Sequence, residues 1–256
     1  LTLEMKQMVR RGDIGKPMLV HGSYLQDWLL YDTDYNWRVE PEISGPSRCV
    51  GDIGSHWMDL AQNVLGAKIT DVCADLVIAH PVRKKAKGVV ETFARNTSLE
   101  YEEKAVKTED YAAVMFKMDN GVHGVFHVSE ISAGRKCWLN IEVDGAKSSL
   151  YWNQETSDQM WMGHRDEYNR HVMRSPLLMH PDAAKYTYLA AGHPEGWNDA
   201  MKNTVQSYYD FILSGKRVGE AETDFATFAD GDCITRLTEA ILLSGREERW
   251  VNIKEV

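Results

Sequence analysis

The period of the hydrophobic pattern changes several times along the chain. Residues 1–11 predict a short helix, stopped by Gly12 and Gly15. Residues 17–26 place Met18, Val20, Gly22 and Tyr24 at period two, which predicts a strand. Residues 27–51 have no period; they predict a long aromatic loop punctuated by Pro and Gly, of a length that usually serves function. Residues 52–65 return to a helical period, with Ile53, Trp57, Leu60, Ala61 and Val64 on one side. Residues 69–79 predict a strand, and residues 80–109 are charged and weakly patterned. Tyr111–Met118 and Val122–Ile131 then flank Asp119-Asn120-Gly121, a hairpin signal. Lys136–Val143 and Lys147–Trp152 flank Asp144-Gly145 in the same way, and Gln159–Met162 adds a further strand. Turns this short predict antiparallel pairing. Residues 164–195 look irregular and carry His164, His171, His180 and His193. A helix is predicted over 197–213, on Trp197, Met201, Val205, Tyr208, Tyr209, Ile212 and Leu213, and ends at Gly215. A second helix over 225–243, weakened at Gly231, and a short strand Trp250–Ile253 close the chain.

This order predicts an α+β fold: a largely antiparallel open sheet with helices packed on one face. No repeat or low-complexity linker divides residues 1–256, so a single domain is expected. Hydrophobic residues at 43% and charged residues at 26% fit an ordinary globular chain and exclude collagen-like and disordered classes. No apolar run approaches membrane-spanning length. Lys plus Arg number 29 and Asp plus Glu 38, a net charge of 29 − 38 = −9, so nucleic acid and anionic membranes are not expected partners. The one basic run, Arg83-Lys84-Lys85-Ala86-Lys87, reads as a solvated loop. Cys49, Cys73, Cys137 and Cys233 lack metal or redox spacing and read as reduced core residues, which makes a cytoplasmic location the expectation. Eight Trp and 11 Tyr against six Phe favour wet clefts and interfaces, since these rings carry a polar tip.

Candidate chemistry concentrates in Asp52-Ile53-Gly54-Ser55-His56-Trp57-Met58-Asp59. On an α-helix, Asp52, His56, Asp59 and Asn63 fall at about 0°, 40°, 340° and 20°, one narrow stripe away from the apolar side. A carboxylate one turn from an imidazole orients its tautomer and raises its basicity, as a proton-relaying His requires. Spacing alone leaves two other readings open. The stripe is also what the solvated face of any amphipathic helix looks like. An Asp and a His at i, i+4 also suit a shared cation, although no third ligand is evident and no metal is expected.

Several segments together resemble the glucose-fructose oxidoreductase / inositol dehydrogenase / MocA family, in its C-terminal, substrate-binding domain. They are Asp27-Trp28-Leu29-Leu30, Asn36-Trp37-Arg38, Ser44-Gly45-Pro46 and Gly51 to Asp59. Gly192-His193-Pro194-Glu195-Gly196-Trp197, Thr227-Phe228-Ala229-Asp230-Gly231, Ala240 to Ser244 and Trp250-Val251 agree with them. Members are typically NAD(P)-dependent oxidoreductases of sugars, polyols and their derivatives. The resemblance implies that His56 is the proton donor and acceptor at the substrate hydroxyl or carbonyl, with Asp52 as its partner. It places Trp28, Trp37, Arg38, Asp59 and His193 on the substrate side. Trp28, Trp37 and Tyr24 would stack on a sugar's C–H face, or equally pack a core or interface. Arg38 would hold a carboxylate or phosphate, or equally form a surface ion pair. Where the family has a glycine run, this chain has Gly45-Pro46-Ser47.

The resemblance also implies NAD or NADP, yet none of the 19 glycines form the G-x-G that a dinucleotide fingerprint needs. The family's catalytic lysine, in a Glu-Lys-Pro motif, has no counterpart, since Lys16-Pro17 follows Gly15 and opens a strand. Leu1 aligns just after the family's cofactor domain. The expectation is that a Rossmann domain of about 100–150 residues lies outside this chain and holds the cofactor, and that the 256 residues alone are inactive in hydride transfer. A homo-oligomer through the sheet is expected as well. Two other functions fit the same residues: an NAD-dependent glycosidase on this scaffold, and a non-catalytic sugar-binding or dimerisation domain.

Overall fold

The structure, a computed structural model, describes residues 1–88 and 100–256. Helix α1 (Thr2–Arg11) ends at Gly12, whose φ of 76° closes it in the left-handed conformation. Strand β1 (Pro17–Leu25) follows. The predicted loop then contains a 3₁₀ turn (Trp37–Val39), the one-turn helix α2 (Pro41–Ser44) and a π turn (Val50–Gly54) that runs into α3 (Ser55–Leu65). Next come β2 (Ile69–Val77), β3 (Val82–Ala86), β4 (Tyr101–Ala105), β5 (Tyr111–Met118) and β6 (His123–Ser129). They are followed by β7 (Trp138–Gly145), β8 (Ser148–Asn153), β9 (Gln159–His164) and β10 (Arg170–Met173). The chain closes with α4 (Pro181–Ala184), α5 (Trp197–Leu213), α6 (Phe228–Glu247) and β11 (Val251–Asn252).

Nine strands form one sheet in the order β10-β9-β8-β7-β1-β6-β5-β2-β11, and β3 pairs with β4 apart from it. The α+β expectation is met, and both predicted hairpins, β5–β6 and β7–β8, are present. The sheet is largely antiparallel, as expected, with one parallel pair: β1 enters the middle of the sheet, antiparallel to β7 but parallel to β6. Hairpin logic covers strands joined by short turns and does not reach a first strand inserted between later ones. The stretch 80–109, read from sequence as charged and weakly patterned, contains the β3–β4 ribbon, with residues 89–99 outside the described residues. The basic run is likewise no free loop: it forms β3, and Arg83 within it is fully buried. The region 164–195 includes β10 and α4.

One side of the sheet is covered by α1, α3 and α6, which share a core with Val20, Phe116, Phe126, Ile141 and Leu150. Trp57 on α3 is the pivot of that contact. It stacks on Phe126 at 4.6 Å and donates its indole N–H to the Asn140 carbonyl at 2.9 Å. A side chain at Gly22 would stand 2.7 Å from that indole nitrogen, so only glycine lets the helix approach β1 here. Helix α5 behaves differently. Its predicted apolar stripe exists, but Trp197, Met201, Val205, Tyr209 and Leu213 are exposed, and Ser207 is its one buried residue. At its start the Asp199 carboxylate accepts from the Gly196 N–H at 2.8 Å.

Candidate functional site

The motif bearing Asp52 and His56 opens as a π turn, not as the first turn of a regular helix. Gly51 and Gly54 hold it only weakly to α-geometry, and a remote carboxylate fixes it. Glu109, just before β5, accepts from the Ser47 hydroxyl at 2.6 Å and from the Arg48 and Val50 N–H groups at 3.0 Å each. Ser47 Oγ in turn accepts from the Gly51 N–H at 2.9 Å. The wider turn moves Asp52 off the stripe drawn for a continuous α-helix, so the expected 52–65 helix is α-helical only from Ser55. Gly45, in the place of the family's glycine run, adopts a φ of 88° that favours glycine.

Trp57 points into the core, which leaves its neighbour His56 exposed, with Tyr24 edge-on at 6.0 Å between ring centroids. Asp52 is half-buried and pairs with Arg38, Nε to Oδ2 at 3.2 Å. The Arg38 guanidinium lies over the Trp37 ring at 4.5 Å and the Trp28 ring at 5.9 Å. Asn36 caps the 3₁₀ turn by accepting from the Arg38 N–H at 3.0 Å. Five of the sequence-predicted residues, Trp28, Trp37, Arg38, Asp52 and His56, therefore share one surface. Asp59 lies one turn further along α3, with its carboxyl raised above the ordinary range by desolvation first and by Asp230 second. Asn63, the end of the predicted stripe, is taken by Lys6 of α1 at 2.7 Å.

Two side-chain arrangements beside this surface carry no sequence signal, although Tyr24 itself is one of the candidate rings and is buried in the core. Behind His56, the Tyr24 hydroxyl meets Cys137 Sγ at 3.1 Å, and Gln154 donates to the same sulfur at 2.8 Å. Burial, the Cys137 hydrogen bond and the charge of Asp52 all push the Tyr24 phenol up, so it stays a neutral hydroxyl across the physiological range. Tyr24 and Cys137 lie 113 positions apart, and no spacing signal joins them. Beneath the surface, Arg48, Arg83, Asp110 and Glu130 form a charge cluster with no solvent exposure.

His193 belongs to a different segment. It is exposed on the loop before α5, and its carbonyl accepts from Arg174. That loop borders a cavity of about 430 Å³ between the start of α1 and α5, walled by Trp152, Arg174, Glu195, Asn203 and Asp224 among others. The cavity touches neither Asp52 nor His56, and Arg174 on its wall is already held by Asp158 at 2.6 Å and Glu195 at 3.4 Å. Asp52 and His56 thus stand on the open shelf of the π turn, outside that cavity. Among the described residues, one trio has metal-compatible spacing, His21, Glu142 and Asp144, on the face of the sheet opposite α3.

The domain is thus a largely antiparallel open sheet with helices on one face and an Asp and a His at a turn-to-helix junction. The chain belongs to the GFO/IDH/MocA family, whose C-terminal domain matches residues 2–151. It is 25% identical over 262 aligned residues to a levoglucosan dehydrogenase of Pseudarthrobacter phenanthrenivorans, covering 98% of this chain and 63% of that protein. The chain thus spans less than two thirds of the length of that relative. An oxidoreductase domain protein from Kribbella flavida superposes with a TM-score of 0.83 at 25% identity, over 98% of this chain and 63% of that one. An inositol dehydrogenase homologue from Azotobacter vinelandii, in complex with NADH and myo-inositol, has the same fold, with a TM-score of 0.80 at 22% identity over 98% and 61% of the two chains.

Proposed function

We propose that this chain is the substrate-binding part of an NAD(P)-dependent oxidoreductase acting on a sugar, a polyol or a derivative. The observation that carries the reading is the shelf itself: an exposed imidazole four residues after a carboxylate that Arg38 holds in place, with indole faces alongside that guanidinium. Indole faces suit the C–H face of a sugar ring, and Arg38 and Asp52 offer donors and acceptors for its hydroxyls. The names of the relatives, dehydrogenases of levoglucosan and inositol, point to the same substrate class. In alcohol oxidation, His56 takes the hydroxyl proton, and it returns the proton in the reverse direction. Asp52 supports the cationic imidazole that forms.

The chain's own residues do not fit a dinucleotide. No G-x-G occurs in the sequence, so the fingerprint that brings backbone to a pyrophosphate is not among these residues. The reading assigns NAD or NADP to a Rossmann domain outside these residues, where the nicotinamide supplies the hydride chemistry. The exposed stripe of α5 is a surface suited to such a domain. A second copy of the chain is assigned to the outer face of the sheet. Cytoplasmic location is part of the same proposal, in keeping with four free cysteines. No helix among the described residues is long and apolar enough to cross a membrane.

His56→Ala in the full-length protein is expected to lower kcat by about 10²–10⁴-fold, the usual contribution of a positioned acid–base group. Cofactor affinity, read by nicotinamide fluorescence, should stay near wild type. An unchanged kcat would remove His56 from the reaction.

A further inference from the structure

Two separate segments build the shelf. The turn 47–54 carries Asp52 and leads to His56; the loop 28–38 carries Trp28, Trp37 and Arg38. Above, they meet where Arg38 reaches Asp52. Below, they meet on one carboxylate. Asp110 Oδ1 accepts from Arg48 of the first segment, and from Arg83 at 2.6 Å. Arg48 belongs to the turn through its own backbone, because its carbonyl accepts the Asp52 N–H at 2.7 Å. Its guanidinium also reaches Glu130 at 3.0 Å and the Thr108 carbonyl at 3.3 Å. Arg83 grips the loop by its carbonyls, donating to Leu29 at 3.0 Å, Tyr31 at 2.9 Å and Asp34 at 3.0 Å. The other oxygen of Asp110 accepts from Ala79 N–H at 2.7 Å and His80 N–H at 3.1 Å, which fixes the carboxylate to the bend after β2.

We infer that Asp110 is a positioning residue for the reaction: through Arg48 and Arg83 it sets the distance between the Asp52–His56 turn and the aromatic wall of Trp28 and Trp37. Sealing two guanidiniums and their carboxylates from water is expensive, and a well-packed apolar cluster would stabilise the fold at least as well. What charges add is directional, and the direction here is shared. Each guanidinium is a planar fork with fixed donor angles, so a shift of one segment is transmitted to the other through the same oxygen. Burial alone would raise the Asp110 carboxyl; the two guanidiniums and the backbone N–H donors outweigh it and hold the group ionised.

This inference rests on the reading of Asp52 and His56 as the reacting pair, so its test includes a measurement that needs no turnover. The readouts are the His56 imidazole and Trp37 indole signals by NMR, together with kcat and KM of the full-length protein on its sugar or polyol substrate. Asp110→Asn keeps the shape and removes the charge. It is expected to shift both signals and to lower kcat at least tenfold, with a smaller change in KM. Val251→Ala, a core truncation in β11, should lower stability without moving either signal. Asp110→Asn that is destabilised but leaves both signals and kcat at wild type would overturn the proposal. If Asp110→Asn does not fold, Arg83→Lys decides: it keeps the charge but loses the fork, and it should displace the Trp37 signal and lower kcat. A Trp37 signal and kcat unmoved in Arg83→Lys would overturn the proposal as well. Should His56→Ala prove fully active, coupled shifts of the two signals would still establish the clamp while removing its catalytic meaning.

Discussion

Glu130, just past the end of β6, keeps one carboxylate oxygen on Arg48 at 3.0 Å and the other buried with no hydrogen-bond partner among the described residues. Burial pushes its carboxyl up to about 8; Arg48 opposes that shift, while Asp52, Glu109 and Asp110 reinforce it. The oxygen of Glu130 that has no donor is what makes its charge costly at this depth. From the ordinary value of 4.5 up to about 8, the folded protein holds a proton that the unfolded chain has released. Stability therefore falls as pH rises through that window, and the loss is complete above it, amounting to a few kcal/mol on the order set by proton linkage. Glu130→Gln mimics the neutral acid. Its urea-denaturation stability relative to wild type should rise as pH climbs from the ordinary value of 4.5 to about 8 and level off above it. A constant difference across that range would show that Glu130 is ionised throughout. At this scale the sequence made His56 and Asp52 visible, because helical spacing and family resemblance both act on neighbours. Glu130, Asp110 and Cys137 stayed invisible, because their partners come from remote segments, as with the 113 positions between Tyr24 and Cys137.

The element that matters most to the site is the π turn of Val50–Gly54, and its geometry is imposed from outside. Three donors converge on one oxygen of Glu109. Removing that oxygen leaves buried donors unsatisfied, at about 1–3 kcal/mol for each exposed to the full desolvation penalty. Glu109→Ala is expected to lower unfolding free energy by about 2–4 kcal/mol and to speed amide exchange of Arg48 and Val50. Glu109→Gln, which keeps an acceptor, should cost well under half as much. Equal losses in the two variants would mean that the charge, not the acceptor geometry, holds the turn. Elements with strong local signals were legible: the hairpins at Asn120-Gly121 and Asp144-Gly145, and the long α5. The β3–β4 ribbon was not, because its inward residue is Arg83, so the apolar alternation that marks a strand is missing. The π turn was not legible either, because the carboxylate that shapes it stands about sixty residues away, at separations of 59 to 62.

At the scale of the whole molecule, the sheet has one face under helices and one open. On the open face Leu19 is 51% exposed, Met115 50% and Val125 46%, and they lie on the adjacent strands β1, β5 and β6, with Met115 and Val125 directly paired. Around them stand polar groups able to meet their own copies across a two-fold axis: His21 with Asp144 at 3.5 Å, and Lys117. A contiguous apolar centre with a polar rim is the anatomy of a homodimer interface, and a flat sheet face presents the same patch from both subunits. The α5 stripe is separate from this face, so the two surfaces can hold different partners at once. Val125→Lys places a charge at the centre of the patch, where in a dimer it would oppose its own copy. Analytical ultracentrifugation should then find wild type as a dimer and the variant as a monomer of unchanged circular dichroism. Met201→Lys on α5 should leave the dimer intact. A Val125→Lys protein that sediments with wild type would take the second copy off the sheet, and loss of the dimer in Met201→Lys would move it to α5.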